Sequence, residues 1–286
     1  MTKNKILIVA GMHRSGTSLT TQWLNKCGLH VGDNLLGALT GNDDGHFEDL
    51  DFFESHKSLL KKQRLPHNGL TAKPVRPLTE EEKDTLRDII NYKNGFHQQW
   101  GWKDPRTCLF LDAYRQIIPQ AYFFVVLRDY PAVISSLISR MYKLQQIKYE
   151  AKKGLSGFAW KHYFKARALE SLKKKHVQHF LQIWIKYNEA ILHVINQLPQ
   201  EQYLVMSYHT LLENDKALYD HLVNDWGFSL NYYGFNQIYK DGKLGKPFDI
   251  EPYIHNKTLL QKADTLEKML LQKIQPATKH HTLIAV

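Results

Sequence analysis

The segment Ile6-Leu7-Ile8-Val9-Ala10-Gly11-Met12-His13-Arg14-Ser15-Gly16-Thr17-Ser18-Leu19 limits what this chain can fold into more than any other stretch. Five apolar residues, too few for a helix, run into a glycine-bounded turn. The turn opens a helix with two hydroxyls in its first positions. A strand that is apolar on both faces must be covered on both sides, which is the condition of a parallel sheet between helices. The turn presents successive backbone N–H groups at a positive helix end, a natural seat for an anion. A tight strand-to-helix turn that holds nothing is the plain alternative. Gly11 and Gly16 have the spacing of a nucleotide-binding P-loop, but Thr17 stands where such loops carry lysine. Arg14 is the cation inside the loop.

Three further apolar runs have strand character: Trp100–Lys103, Ala121–Leu127 behind Pro119, and Tyr203–Met206. Helical periodicity fills the intervals over Thr17–Cys27, Phe52–Lys62, Thr79–Lys93, Thr107–Ile118, Ala132–Leu144, Phe180–Leu198 and Tyr208–Trp226. The pattern predicts an α/β fold, a P-loop-type parallel sheet covered by helices on both faces, in a single domain over residues 1–286. Ligands of such sheets bind beyond the carboxyl ends of the strands. Arg14, Asp104 and Arg128 all follow strand ends, so topology brings them together. Glycine- and proline-rich stretches predict loops or lid insertions near 32–45, 61–77 and 143–157.

Two cysteines, Cys27 and Cys108, fall in apolar surroundings and fill core space in a reducing compartment. The histidines are scattered without metal-ligand spacing, and His280 and His281 read as part of a solvated tail, so no metal is expected. The apolar run at residues 6–10 is too short for a membrane span or a signal-peptide core. The expected location is the cytoplasm, with the inner membrane surface within reach. The net charge of +10 is concentrated: residues 140–175 hold eleven Lys and Arg against Glu150 and Glu170. This segment is either a solvated helix face or a surface for an anionic cofactor, acceptor or membrane. No recognition motif accompanies the charge, so nucleic acid is not expected.

The missing P-loop lysine argues against a nucleotide triphosphatase, in which that side chain reaches the β- and γ-phosphates. A fixed planar cation such as Arg14 suits a phosphate joined to a transferring group. Arg128 closes the clearest strand, and Ser136 stands eight residues later in the next helix, so the two can hold a second anion.

Taken together, Arg14-Ser15-Gly16-Thr17-Ser18, Lys103-Asp104-Pro105 and Arg128 with Ser136 resemble the sulfotransferase family. Ser136-Leu137-Ile138-Ser139-Arg140 and Lys-Asp-Pro are similar to the protein-tyrosine sulfotransferase branch and its bacterial relatives. Gly45-His46-Phe47-Glu48-Asp49 resembles a segment of the bacterial members, and the likeness returns over Trp184–Asn188 and Tyr203–Leu212. The resemblance implies the co-substrate 3′-phosphoadenosine-5′-phosphosulfate. In that reading Arg14, Ser15, Gly16, Thr17 and Ser18 hold its 5′-phosphosulfate. Arg128 and Ser136 hold the 3′-phosphate, and Tyr208 contacts the nucleotide. Lys103 lies near the bridging oxygen or the sulfuryl group, and Glu48 is the base. His209 stands where the family often has an acidic residue. The family's C-terminal Arg-Lys-Gly element is not visible, and Lys243 or Lys246 is its candidate substitute.

Transfer to a hydroxyl requires a proton acceptor within hydrogen-bond reach. Glu48, His46 and Asp49 compete for that role, with Asp49 equally suited to capping the helix that begins near Asp51. In an extended stretch Glu48 and His46 share a face. Lys103 has a structural alternative as a partner of Asp104. The acceptor class implied is a carbohydrate or glycolipid hydroxyl, with protein tyrosine as the variant. The competing classes are an ATP-dependent P-loop kinase and a non-enzymatic protein that binds anionic glycans.

Overall fold

The computed structural model describes residues 4–37, 45–151, 158, 160–240 and 245–274. Four parallel strands form its sheet: β1 (Lys5–Ala10), β2 (Gln99–Lys103), β3 (Tyr122–Leu127) and β4 (Tyr203–Ser207). They lie in the order β2-β1-β3-β4. Val9 is opposite Lys103, and Leu127 is opposite Ser207, so the strand ends that precede the charged residues align across the sheet.

The period of two in a strand divides the core. Ile6, Ile8 and Ala10 of β1, with Phe123, Val125 and Leu127 of β3, enter one apolar cluster. Leu7 and Val9, with Phe124 and Val126, enter the other. Helix α1 (Thr17–Lys26) packs on the second face, supplying Trp23 and Leu24. The larger face carries α2 (Leu50–Lys62), α3 (Glu80–Phe96), α4 (Leu111–Ile117), α5 (Tyr130–Glu150) and α6 (Lys165–Ile195). Helix α7 (Tyr208–Asp220) returns to the α1 side, and α8 (Lys257–Leu271) joins the larger core through Ala263, Leu266 and Leu270. The α/β parallel sheet covered on both faces is as the sequence predicts.

Local chemistry sets the helix starts. Asp49 caps α2 by accepting from the Asp51 N–H at 2.9 Å. Thr79 and Glu82 form a capping box at α3, and Asp129 caps α5. Three expectations shift. Helix α5 stays helical to Glu150, so the lid predicted from residue 143 is helix over its first half, and residues 152–157 lie outside the described residues. Helix α6 begins fifteen residues before Phe180, because Leu169, Leu172 and Val177 give its lysine-rich start an inner face on the core. The Thr107–Ile118 pattern divides into a 3-10 turn over Pro105–Phe110 and α4. Residues 38–44 of the 32–45 loop, Lys243, His280 and His281 also lie outside the described residues.

Candidate active site

The loop after β1 is shaped by two close constraints. A Cβ on Gly11 would come within 2.6 Å of both the Val126 carbonyl oxygen and Thr17 Cγ2, so β1, β3 and α1 meet there without room for a side chain. Gly16 is the N-cap of α1 at φ 97°, and having no side chain it leaves the helix start open to an external acceptor. Arg14 adopts φ 68°. Holding a non-glycine residue in that region costs roughly 1–3 kcal/mol. The surroundings hold it there: Arg128 Nη1 donates to the Arg14 carbonyl at 2.8 Å, and Arg14 Nε donates to Ser136 Oγ at 2.9 Å. Trp184 Nε1 donates to the Arg128 carbonyl at 3.1 Å, fixing the end of β3 against α6. The two predicted anion seats thus share side chains. Burial, then the charges of Arg140 and Arg128, lower the Arg14 pKa to about 10, which leaves it cationic at neutral pH.

Beside this loop stands a buried charge cluster. Residues 46–50 are pinned by backbone bonds to 34–36: Leu36 N to the Glu48 carbonyl at 2.8 Å and Leu50 N to the Asn34 carbonyl at 2.9 Å. Glu48 is thereby turned inward, 6% exposed. Lys103, the last residue of β2, donates through Nζ to Glu48 Oε1 at 2.8 Å and to Ser18 Oγ on α1 at 3.1 Å. Arg106 Nη2 donates to the other oxygen, Glu48 Oε2, at 3.2 Å. His46 Nδ1 lies 4.0 Å from Glu48 Oε1, so these two side chains do meet. The stretch between them is not regular extended backbone, since Phe47 takes φ 50°.

Burial lowers the Lys103 pKa, although Glu48 pulls it upward. Burial, then Lys103, Arg140, Arg14 and Arg106, push His46 down to about 4. His13, in the loop itself, is lowered to about 3 by burial and then Arg106. Both imidazoles are neutral at pH 7, and the buried Nε2 atoms of both have no hydrogen-bond partner among the described residues.

A further layer fixes Arg106. Asp104 accepts from Arg106 Nε at 2.9 and 3.1 Å and lies 3.0 Å from His56 Nδ1, while His56 Nε2 is 2.7 Å from the Tyr114 hydroxyl. Burial alone would raise the Asp104 carboxyl. Hydrogen bonding to His56 and the Arg106 charge instead hold it well below the carboxylate range. The loop over 61–77 closes on the same group, with the His67 carbonyl 3.4 Å from Arg106 Nη1. Lys103 is thus a partner of Glu48 by hydrogen bond, and Asp104 has Arg106 and His56 instead.

Asp49 is committed elsewhere: besides capping α2 it binds Lys93 Nζ at 2.7 Å, and Asp33 and Asp51 bind the same ammonium at 2.9 Å. Among the described residues two groups have metal-ligand types, His30/Asp33/His97 and Asp33/Asp49/Asp51. In the first, the imidazoles stack at 3.7 Å, and His30 Nε2 and His97 Nε2 both face one oxygen, Asp33 Oδ1, at 3.2 and 3.0 Å. In the second, Lys93 already supplies the cation.

Arg14, Ser15, Gly16, Thr17, Ser18, Arg128, Ser136, Lys103, Glu48 and His46 therefore gather at the carboxyl end of the sheet. Tyr208 begins α7 directly after β4, but its side chain lies outside the described residues. Lys246 is exposed. Sequence reasoning passed over Arg106, His13, His56 and Lys93. For Arg106 a signal existed, its adjacency to Lys103-Asp104-Pro105. His13 stands inside the quoted loop, beside Arg14, whereas His56 and Lys93 have no local signature.

No curated protein matches the chain. Solved structures similar to it include a sulfotransferase domain from the curacin biosynthetic pathway, 12% identical over 96% of this chain and 100% of that one, with a TM-score of 0.49. A sulfotransferase domain of the Synechococcus PCC 7002 olefin synthase is 16% identical over 93% and 96%, also at 0.49. A sulfotransferase from Mycobacterium tuberculosis H37Rv is 14% identical over 93% of this chain and 77% of that one, again at 0.49. The sequence model of the sulfotransferase family matches residues 7–229, most of the chain and all the residues just described up to α7. The protein belongs to the sulfotransferase family.

Proposed function

We propose that the protein transfers a sulfuryl group from 3′-phosphoadenosine-5′-phosphosulfate to an acceptor hydroxyl on a carbohydrate or glycolipid. The observation that carries this reading is Lys103 Nζ, set between Ser18 of the anion loop and the Glu48 carboxylate. One ammonium touches both the donor seat and the candidate base. The residues suit the donor: an open helix start at Gly16, the Arg14 cation, and orphaned buried nitrogens on His13 and His46.

In this reading Arg14 and the N–H and hydroxyl groups of Ser15–Ser18 bind the 5′-phosphosulfate, and Arg128, Ser136 and Tyr208 bind the 3′-phosphoadenosine. As the sulfur–oxygen bond breaks in line, charge grows on the bridging phosphate oxygen. Lys103 turns toward that oxygen, and its lowered pKa makes it a better proton donor there. Arg106 keeps hold of Glu48 Oε2 meanwhile, so the carboxylate stays oriented to take the acceptor's proton. His46, neutral beside it, has a free Nε2 to orient the acceptor hydroxyl.

Thermal unfolding tests the donor. Adenosine 3′,5′-bisphosphate should raise the Tm and Mg-ATP should not, whereas the reverse would overturn the donor reading. Labelled-sulfate transfer tests the roles. Glu48→Gln should lose roughly 10²–10⁴ in rate while remaining folded. A folded Glu48→Gln enzyme at full rate would remove Glu48 from the mechanism.

A further inference from the structure

We propose that the outer face of α5, together with the aromatic residues Phe158, Tyr163 and Phe164 that precede α6, docks on an anionic lipid bilayer. Among the described residues, five of the ten exposed large apolar side chains fall between 144 and 164: Leu144, Ile147, Phe158, Tyr163 and Phe164. Exposed lysines stand among them. Lys143, Leu144, Ile147 and Lys148 repeat at helical spacing, so they line one face of α5. The same stripe begins at Arg140, whose charge bears on Arg14 and His46, so it runs outward from the edge of the candidate site.

The segment's two acids do not oppose an anionic partner. Glu150 is held by Lys165 at 2.7 Å, and Glu170 accepts from the Tyr253 hydroxyl at 2.9 Å with Lys173 at 3.9 Å. Lys143, Lys148, Arg167, Lys174 and Lys175 remain exposed along the two helices. This mixture of features selects the partner. Protein interface cores are depleted of lysine, and a polyanion would gain nothing from exposed Leu, Ile and Phe. A bilayer surface uses both, taking apolar side chains below the headgroups while lysines extend to the anionic phosphates. No helix of the described residues is long and apolar enough to cross a membrane, and the contact proposed is peripheral.

Vesicle flotation tests this with the full chain, using phosphatidylcholine alone or with phosphatidylglycerol added. The wild type should float only with the anionic vesicles. Lys143→Glu/Lys148→Glu and, separately, Leu144→Ser/Ile147→Ser should each lose about tenfold or more in binding. Equal binding to both vesicle types, or none, overturns the proposal. So does a Leu144→Ser/Ile147→Ser protein that still binds anionic vesicles and soluble heparin as the wild type does, which would mark a plain polyanion surface. A vesicle-free dimer dissolved by Leu144→Ser/Ile147→Ser would likewise overturn it, in favour of contact between copies. The Tm rise with adenosine 3′,5′-bisphosphate is read on the same samples. Its absence in the wild type would count against the donor reading and leave the vesicle result standing.

Discussion

Lys93 and Lys103 are both fully enclosed, at 0% and 1% exposure, yet their protonation equilibria are displaced in opposite directions. At Lys93 burial disfavours the charge, but the hydrogen bonds it donates to Asp49, Asp33 and Asp51 reverse the balance and raise its pKa. At Lys103 burial prevails over a single carboxylate, which Arg106 shares, and the pKa falls. Lys103 sits deeper, beside a buried carboxylate, whereas two of the three carboxylates on Lys93 reach solvent, so depth and the number of carboxylates together decide the sign. Lys93 is a tie between α3 and the loops that hold residues 46–51. Lys103 is left undercompensated beside Ser18 at the start of α1, the condition the proposed role against a substrate's negative charge requires.

The largest effect should come from breaking the first tie. Lys93→Met strands Asp49 beside two other carboxylates and should cost about 3–5 kcal/mol of stability in urea denaturation. An unchanged midpoint would end the distinction between the two lysines. Lys103→Met should raise the barrier to sulfuryl transfer by about 3–4 kcal/mol, measured with labelled donor, while lowering the urea midpoint less than Lys93→Met does. The pH dependences have opposite signs. Raised Lys93 stabilises the fold fully below the ordinary lysine range, and that stability is lost as pH climbs through its higher folded value. Lowered Lys103 opposes folding at neutral pH, and the opposition is relieved as pH rises from its folded value into the ordinary lysine range.

A smaller effect belongs to His46, which shares the Lys103 side. Its folded pKa of about 4 lies below the ordinary 6.5, so its contribution is intact above 6.5 and lost as pH falls toward 4. His46→Gln should therefore flatten the acid side of the stability curve, and an unaltered acid limb would show that the imidazole is not enclosed as described. The smallest effect should be Asp33→Asn, under about 1 kcal/mol, because this carboxylate is partly exposed and Lys93 keeps Asp49 and Asp51. A loss as large as that of Lys93→Met would mean that the three carboxylates act as one unit.

Much of this site was legible before folding was considered. The Gly11–Gly16 turn and the cations after successive strands carried the reading, because a parallel sheet delivers its strand ends to one edge. Glu48 and His46 were placed on one face by alternation. They do meet, but through a positive-φ bend at Phe47 and a backbone pairing with residues 34–36. Asp49 was undecided between base and cap, and its bonds to Asp51 and Lys93 commit it to structure. Spacing assigns Arg128 and Ser136 a second anion, and what it does not show is that both side chains reach Arg14. Arg106 went unread although it adjoins a quoted motif, because a single arginine after Lys-Asp-Pro has no spacing that announces its partner.

The sequence alone determined the strand–turn–helix loop, the covered parallel sheet and the edge to which the strands deliver Arg14, Lys103 and Arg128. Those depend on local periodicity, on glycine positions and on the rule that joins successive strands. Only the tertiary structure decided which charges neutralise one another. Lys103 finds Glu48 across 55 positions and Arg106 finds it across 58, while Lys93 reaches Asp33 across 60. Whether burial or its partners govern a lysine's charge depends on how deep it lies and how many carboxylates reach it, and both exist only once the chain has closed around it.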